Sequence, residues 1–318
     1  MSETTNLNGA QSVRDALTRG RTAVDDFTRT WLSQGNPTWP EETATVLLLM
    51  AVHPELSYTA FTRREESRIG ADWLWWFSDS TTREAFGLLV QAKNLKNSGR
   101  RFTIDYTYKQ GDQQRALLRA ADLLQVPAAY VLYCGDVDYR RALDCDQGHA
   151  GSVACTQDPR AGVSVLSALL AEYMVGLSAG DLAAASMHAS VPLEELTVWA
   201  QQPWHHRGLL REEMAEFLLR PQQGARLVAK RLLTVLDNYR QRQFLSAEYN
   251  HSRLDVEDAV FAGGLPDDRG HYTRPYFPHV LRGLRRSLPD YVQWAMETRQ
   301  IPEGPQFEGL GGMAVVSM

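Results

Sequence analysis

The stretch that decides the fold is ESRIGADWLWWFSDSTTREAFGLLVQAKNLK, residues 66–96. Two short segments, rich in aromatic and aliphatic residues, flank the polar connection DSTTREA. That composition predicts two strands joined as a hairpin. The second strand is interrupted near its end by Gln91 and Lys93. Positions i and i+2 share one face of a strand, so both side chains project the same way while Ala92 packs behind them. A lysine inside so apolar a run is not fully buried unless it is paired, because uncompensated burial of a charge costs several kcal/mol. Asp72, at the start of the first strand, is brought beside the pair by the hairpin. Glu66 is the acid in the arriving segment, with Glu65 next to it as the alternative.

Around this hairpin, helical periodicity covers 11–33 and 40–53; the second helix begins after Pro40, with Glu41 and Glu42 suited to the positive end of its dipole. An amphipathic helix at 112–125 ends before Pro127 and feeds AAYVLYC, a third buried strand. Strands alternating with helices predict an α/β layer architecture with a central mixed sheet flanked by helices. Further helices are expected at 163–177, 192–202, 208–219, 223–241 and 278–298, making the C-terminal region mostly helical. The glycine-rich end PEGPQFEGLGGMAVVSM reads as a flexible tail or one docked on a neighbour.

Composition narrows the function classes. The chain has 318 residues, 44% of them hydrophobic, enough for a sizeable core. Its longest apolar run, TATVLLLMAV, falls far short of the roughly 20 residues of a spanning helix, so no membrane partner is expected. The polar N-terminus lacks the pattern of a secretory signal, and three cysteines suit a reducing cytoplasm better than a disulfide framework. Net charge is −5, yet the segment from Lys93 to Arg119 holds seven basic residues against two acidic ones. Within it Lys96, Arg100, Arg101 and Lys109 are candidate phosphate contacts.

Two carboxylates, a glutamine oxygen and a backbone carbonyl form an oxygen-only set that suits Mg²⁺, with Mn²⁺ as substitute, and not Zn²⁺. The lysine cannot be a ligand; it can handle a metal-bound water or stabilise a charged transition state. Of the three tryptophans, at least two are read as core, with Trp76 the candidate platform for a base. Cys145, His149, Cys155 and Asp158 share one loop but lack paired Cys-x₂-Cys spacing, and His205 and His206 are read as a helix start.

Asp72 followed by the triplet Gln91-Ala92-Lys93 resembles the PD-(D/E)xK nuclease superfamily, in the QxK form of Mrr-like restriction nucleases. More narrowly, GADW, QAK, a glutamine-bearing helix and PAAYVLY look like an uncharacterised bacterial family found in defence contexts. The resemblance covers about 55–175. It implies a restriction-endonuclease-like core at 40–180, between an N-terminal tail and helix (1–39) and a helical C-terminal region (181–318). The implied activity is metal-dependent hydrolysis of DNA by water, in antiphage defence or restriction. Asp72, Gln91, the Ala92 carbonyl and Glu66 hold the metal, Lys93 handles the water, and Gln113 or Gln114 adds a polar group from the following helix. A homodimer or higher oligomer fits the two cuts of a duplex, and the neutral glutamine suits an effector awaiting an activating partner. The alternatives are a nuclease fold that binds without turnover, and an RNase using the same site.

Overall fold

The structure is a computed structural model and describes residues 3–36, 39–61, 71–97, 102–106, 112–143, 162–174, 176–199, 212–243, 251–252, 257–261, 265–266 and 276–318. It is a mixed α/β fold. Two helices, α1 (Glu3–Ser33) and α2 (Glu41–Val52), precede β1 (Leu56–Ala60) and the hairpin of β2 (Trp73–Ser78) and β3 (Ala85–Asn94). A short ribbon follows, β4 (Lys96–Asn97) with β5 (Phe102–Thr103), then α3 (Asp112–Leu124), β6 (Ala128–Tyr133), α4 (Val137–Ala142) and β7 (Val163–Ser167). Helices α5 (Ala168–Met174) and α6 (Ala179–His188) lead to β8 (Val191–Pro192) and the 3₁₀ turn Leu193–Thr197. Beyond them come α7 (Glu212–Leu219), α8 (Gly224–Gln243), the pair β9 (His251–Ser252) and β10 (Leu265–Pro266), α9 (Tyr276–Leu281), β11 (Leu284–Arg285), α10 (Asp290–Thr298) and β12 (Gly312–Ser317).

The central sheet has eight strands in the order β1-β12-β2-β3-β6-β7-β8, with β11 pairing β3 at its other end. The hairpin is as expected: β2 and β3 are antiparallel, from Trp73 opposite Val90 to Ser78 opposite Ala85. Asp79 makes the turn, its carboxylate accepting the N–H groups of Thr81 and Thr82. β6 runs parallel to β3, with Gln91 beside Tyr130 and Lys93 beside Leu132. All ten residues of β3 are buried, the signature of a strand covered on both faces. No helix among the described residues is long and apolar enough to cross a membrane.

Four secondary-structure expectations are corrected. The helix expected at 192–202 is, over its described residues, the end of the short strand Val191–Pro192 followed by the 3₁₀ turn Leu193–Thr197. Gly312–Ser317, read as a flexible or docked tail, is a buried strand threaded between β1 and β2, parallel to β2 and antiparallel to β1. The helix expected at 163–177 is divided: Val163–Ser167 pairs antiparallel with β6, and the helix begins only at Ala168. Alternating branched residues in VSVLS favour the pleated surface. The helix expected at 278–298 is broken by β11, whose approach to β3 needs Gly283. A Cβ there would lie 2.5 Å from Pro127 and 2.7 Å from the Gly87 carbonyl. Pro289 then restarts the helix as the N-cap of α10.

The three tryptophans of β2 are all core. Trp73 is 7% exposed and Trp75 3%, while Trp76, the candidate base platform, is fully buried. Gly87 makes room for the Trp76 ring, which a Cβ at 87 would meet at 2.7 Å.

Candidate active site

The site is assembled where β3 ends. Asp72 sits just before β2 and is tied to β3 twice. Its N–H donates to the Val90 carbonyl (2.9 Å), and its Oδ2 accepts the Ala92 N–H at 2.7 Å. The hairpin thus brings the Asp72 carboxylate to the QAK triplet. From the other side, α2 delivers Glu41, whose Oε1 accepts the Asn94 N–H at 3.0 Å. The Asn94 side chain in turn donates to the Trp39 carbonyl, fixing the entry to α2 against the end of β3.

Lys93 is buried and its Nζ donates to Gln113 Oε1 at 2.9 Å, in the first turn of α3. Burial, the dominant influence, depresses the Lys93 pKa, and the nearby negative charges of Glu41, Asp72 and Asp105 work against that depression. Glu41 is shifted the other way: burial raises its pKa, opposed first by the Lys93 ammonium and then by the Asn94 N–H. A buried cation whose nearest partner is a neutral amide, with carboxylates in electrostatic reach, is the kind of group that active sites hold.

Beside these groups lies a cavity of about 200 Å³, lined by Glu41, Glu42, Asp72, Ala92, Trp73 and Gly311 among others. Acidic residues of α2 and Asp72 therefore line one space. Gln91 and Lys93 do not line it. Gln91 is 2% exposed, and its Oε1 is buried without a hydrogen-bond partner among the described residues. Such an orphaned oxygen costs roughly 1–3 kcal/mol unless something satisfies it.

Of the residues expected from sequence, the structure brings together Asp72, Ala92, Lys93 and Gln113. Gln114 is buried, with its Nε2 unpartnered among the described residues, and Lys96 is exposed on β4. Glu65, Glu66, Arg100, Arg101 and Lys109 lie outside the described residues, as do Cys145, His149, Cys155, Asp158, His205 and His206. Glu41 was legible in sequence only as a helix-dipole partner, and Gly311 only as part of a tail. No local pattern marks either, because each reaches the site through tertiary packing.

The donors fit a hard divalent cation. Glu41, Asp72 and Ala92 line the cavity and can supply carboxylate and backbone carbonyl oxygens, whereas the Gln91 amide oxygen, expected as a ligand, is buried outside that lining. Among the described residues no three His, Cys, Asp or Glu side chains gather closely enough to hold a metal. A set of two carboxylates instead suits Mg²⁺, which keeps several waters and takes few protein ligands.

No curated protein matches this sequence. Residues 13–317 match the sequence model described as "Family of unknown function (DUF6615)", and since that span is nearly the whole chain, the protein belongs to this family.

Proposed function

We propose that the protein is a metal-dependent nuclease that hydrolyses DNA at the end of β3. The observation that carries this reading is the placement of buried Lys93, bonded to Gln113 and in the field of Glu41 and Asp72, next to a carboxylate-lined cavity. Glu41 and Asp72 would hold Mg²⁺ or Mn²⁺, with the Ala92 carbonyl assisting, and Glu66 or Glu65 as a further acid. The ion, when bound, would lower the pKa of water and neutralise charge on the scissile phosphate.

The chain's own residues do the rest. Lys93 is held by Gln113, and its depressed pKa eases loss of its proton. It can then accept the proton of the attacking water, or as the ammonium stabilise the added negative charge on phosphorus. The water oxygen forms the new P–O bond while the leaving oxygen departs with the electron pair of the broken one and takes up a proton. Lys96, and by sequence Arg100, Arg101 and Lys109, supply positive charge for the phosphates that flank the cut.

The bacterial defence or restriction setting, the cytoplasmic location and assembly into a dimer are inferences from the family resemblance and composition. The test is incubation with supercoiled plasmid, linear duplex, single-stranded DNA and RNA, with Mg²⁺ or Mn²⁺. Cleavage of DNA that stops with EDTA is expected. Cleavage of RNA alone would reassign the substrate. No cleavage of any nucleic acid with Mn²⁺ would favour a binding protein that kept the site without turnover.

A further inference from the structure

Asp72 is framed by backbone from both neighbouring strands, and one of these comes from far along the chain. On the β3 side it is bonded to Val90 and Ala92. On the other side its carbonyl accepts the N–H of Gly311 at 2.8 Å. The Gly311 carbonyl accepts the Phe61 N–H at 2.9 Å, so Gly311 bridges the end of β1 and the approach to β2. Gly311 also lines the cavity beside Asp72.

The register locks this arrangement. Gly312 lies opposite Ala60 on one side and Trp73 on the other. A Cβ at 312 would stand 2.3 Å from a Trp73 ring carbon and 2.6 Å from the Thr59 carbonyl. Trp73 is itself a wall of the cavity. A side chain at 312 would therefore displace either the strand or the wall next to Asp72. Downstream the strand is fixed as firmly: the Ser317 N–H donates to Glu55, the Met318 N–H to Ser78, and the Ser80 N–H to Met318.

We propose that the segment Leu310–Gly312 is a positioning element of the site. Gly311 holds the backbone of Asp72 and shapes the cavity wall, so hydrolysis depends on β12 being inserted between β1 and β2. This deepens the reading of Asp72 as a metal-holding carboxylate and rests on it. A merely structural strand would affect melting alone. A positioning strand also sets metal affinity, because misdirecting a ligand's support commonly costs about 10–100-fold in metal binding or activity.

The test uses full-length wild type, Gly311→Pro, which removes the N–H donated to Asp72, and Gly311→Val, which keeps it but adds bulk to the cavity wall. Each is measured for thermal melting, Mn²⁺ affinity by electron paramagnetic resonance, and plasmid cleavage with KM and kcat separated. Gly311→Pro is expected to weaken Mn²⁺ binding and slow cleavage by about 10–100-fold. Gly311→Val is expected to weaken Mn²⁺ binding and raise KM. A folded Gly311→Pro protein that binds Mn²⁺ and cuts like wild type overturns the proposal. If the proline variant does not fold, the valine variant decides, and unchanged Mn²⁺ affinity and KM overturn it. If wild type neither binds Mn²⁺ nor cuts, the reading of the site itself fails; if it does both and the variants match it, only the role of Gly311 fails.

Discussion

Two buried charged clusters in this molecule are built on opposite plans. One ties α1 to α4 and to the 3₁₀ turn Leu193–Thr197. Arg140 Nη1 lies 3.3 Å from Asp25 Oδ1, Arg21 Nη1 3.2 Å from Asp25 Oδ2, and Arg21 Nε 3.0 Å from Glu194 Oε1. Each guanidinium there meets a carboxylate directly. In the other cluster, at the end of β3, the Lys93 ammonium donates to an amide oxygen, while Asp72 and Glu41 accept backbone N–H groups. A cluster that closes on itself holds helices together. A cluster whose acids are fixed by backbone around a cavity is prepared to meet an added charge.

The sharpest way to break this comparison is Asp72→Asn. The asparagine oxygen can still accept the Ala92 N–H, so melting should change little. Cleavage should fall by about 10³-fold and Mn²⁺ binding should weaken, because the site loses a charge that electrostatic catalysis needs. Cleavage at the wild-type rate would make the two clusters equivalent.

Asp25→Ala is the reciprocal case. It removes the buried carboxylate that Arg140 and Arg21 share, which should cost about 3–5 kcal/mol in urea unfolding. Cleavage per folded molecule should stay at the wild-type level. A loss of cleavage without a loss of stability would reverse the assignment of roles.

A subtler distinction lies in pH. Burial depresses the Lys93 pKa below its ordinary 10.5. Between that depressed value and 10.5 the unfolded chain binds the extra proton, so stability rises with pH across this window. Denaturant titrations from neutral to alkaline pH should show the rise in wild type and its reduction in Lys93→Met. Equal slopes would mean that Lys93 is not desolvated as described. The smallest effect belongs to the exposed surface: Lys96→Ala should lower the slope of log affinity for DNA against log salt by about one. An unchanged slope removes Lys96 from the phosphate contacts.

How much of this was legible in the sequence follows the range of the interactions. The hairpin, the shared face of Gln91 and Lys93, and the return of Asp72 to the triplet are consequences of period-two alternation and a short turn. The α/β layering followed from alternating elements. Glu41 could not be assigned to the site, because a helix N-terminal glutamate has a sufficient local explanation and its contact with Asn94 joins residues 53 apart in the sequence. β12 was hidden for a similar reason. Its glycine-rich approach reads locally as disorder, whereas Gly312 is demanded by the Trp73 ring and by the backbone of β1. Trp76 misled in the opposite direction: it read as the candidate platform for a base, but packing against Gly87 and the Tyr291 ring buries it completely.

The most direct test of the account is single-turnover cleavage of plasmid DNA by Lys93→Met in Mn²⁺, with folding measured on the same sample. The account predicts a folded protein and cleavage reduced by about 10²–10⁴-fold. A folded Lys93→Met protein that cuts as fast as wild type would contradict it.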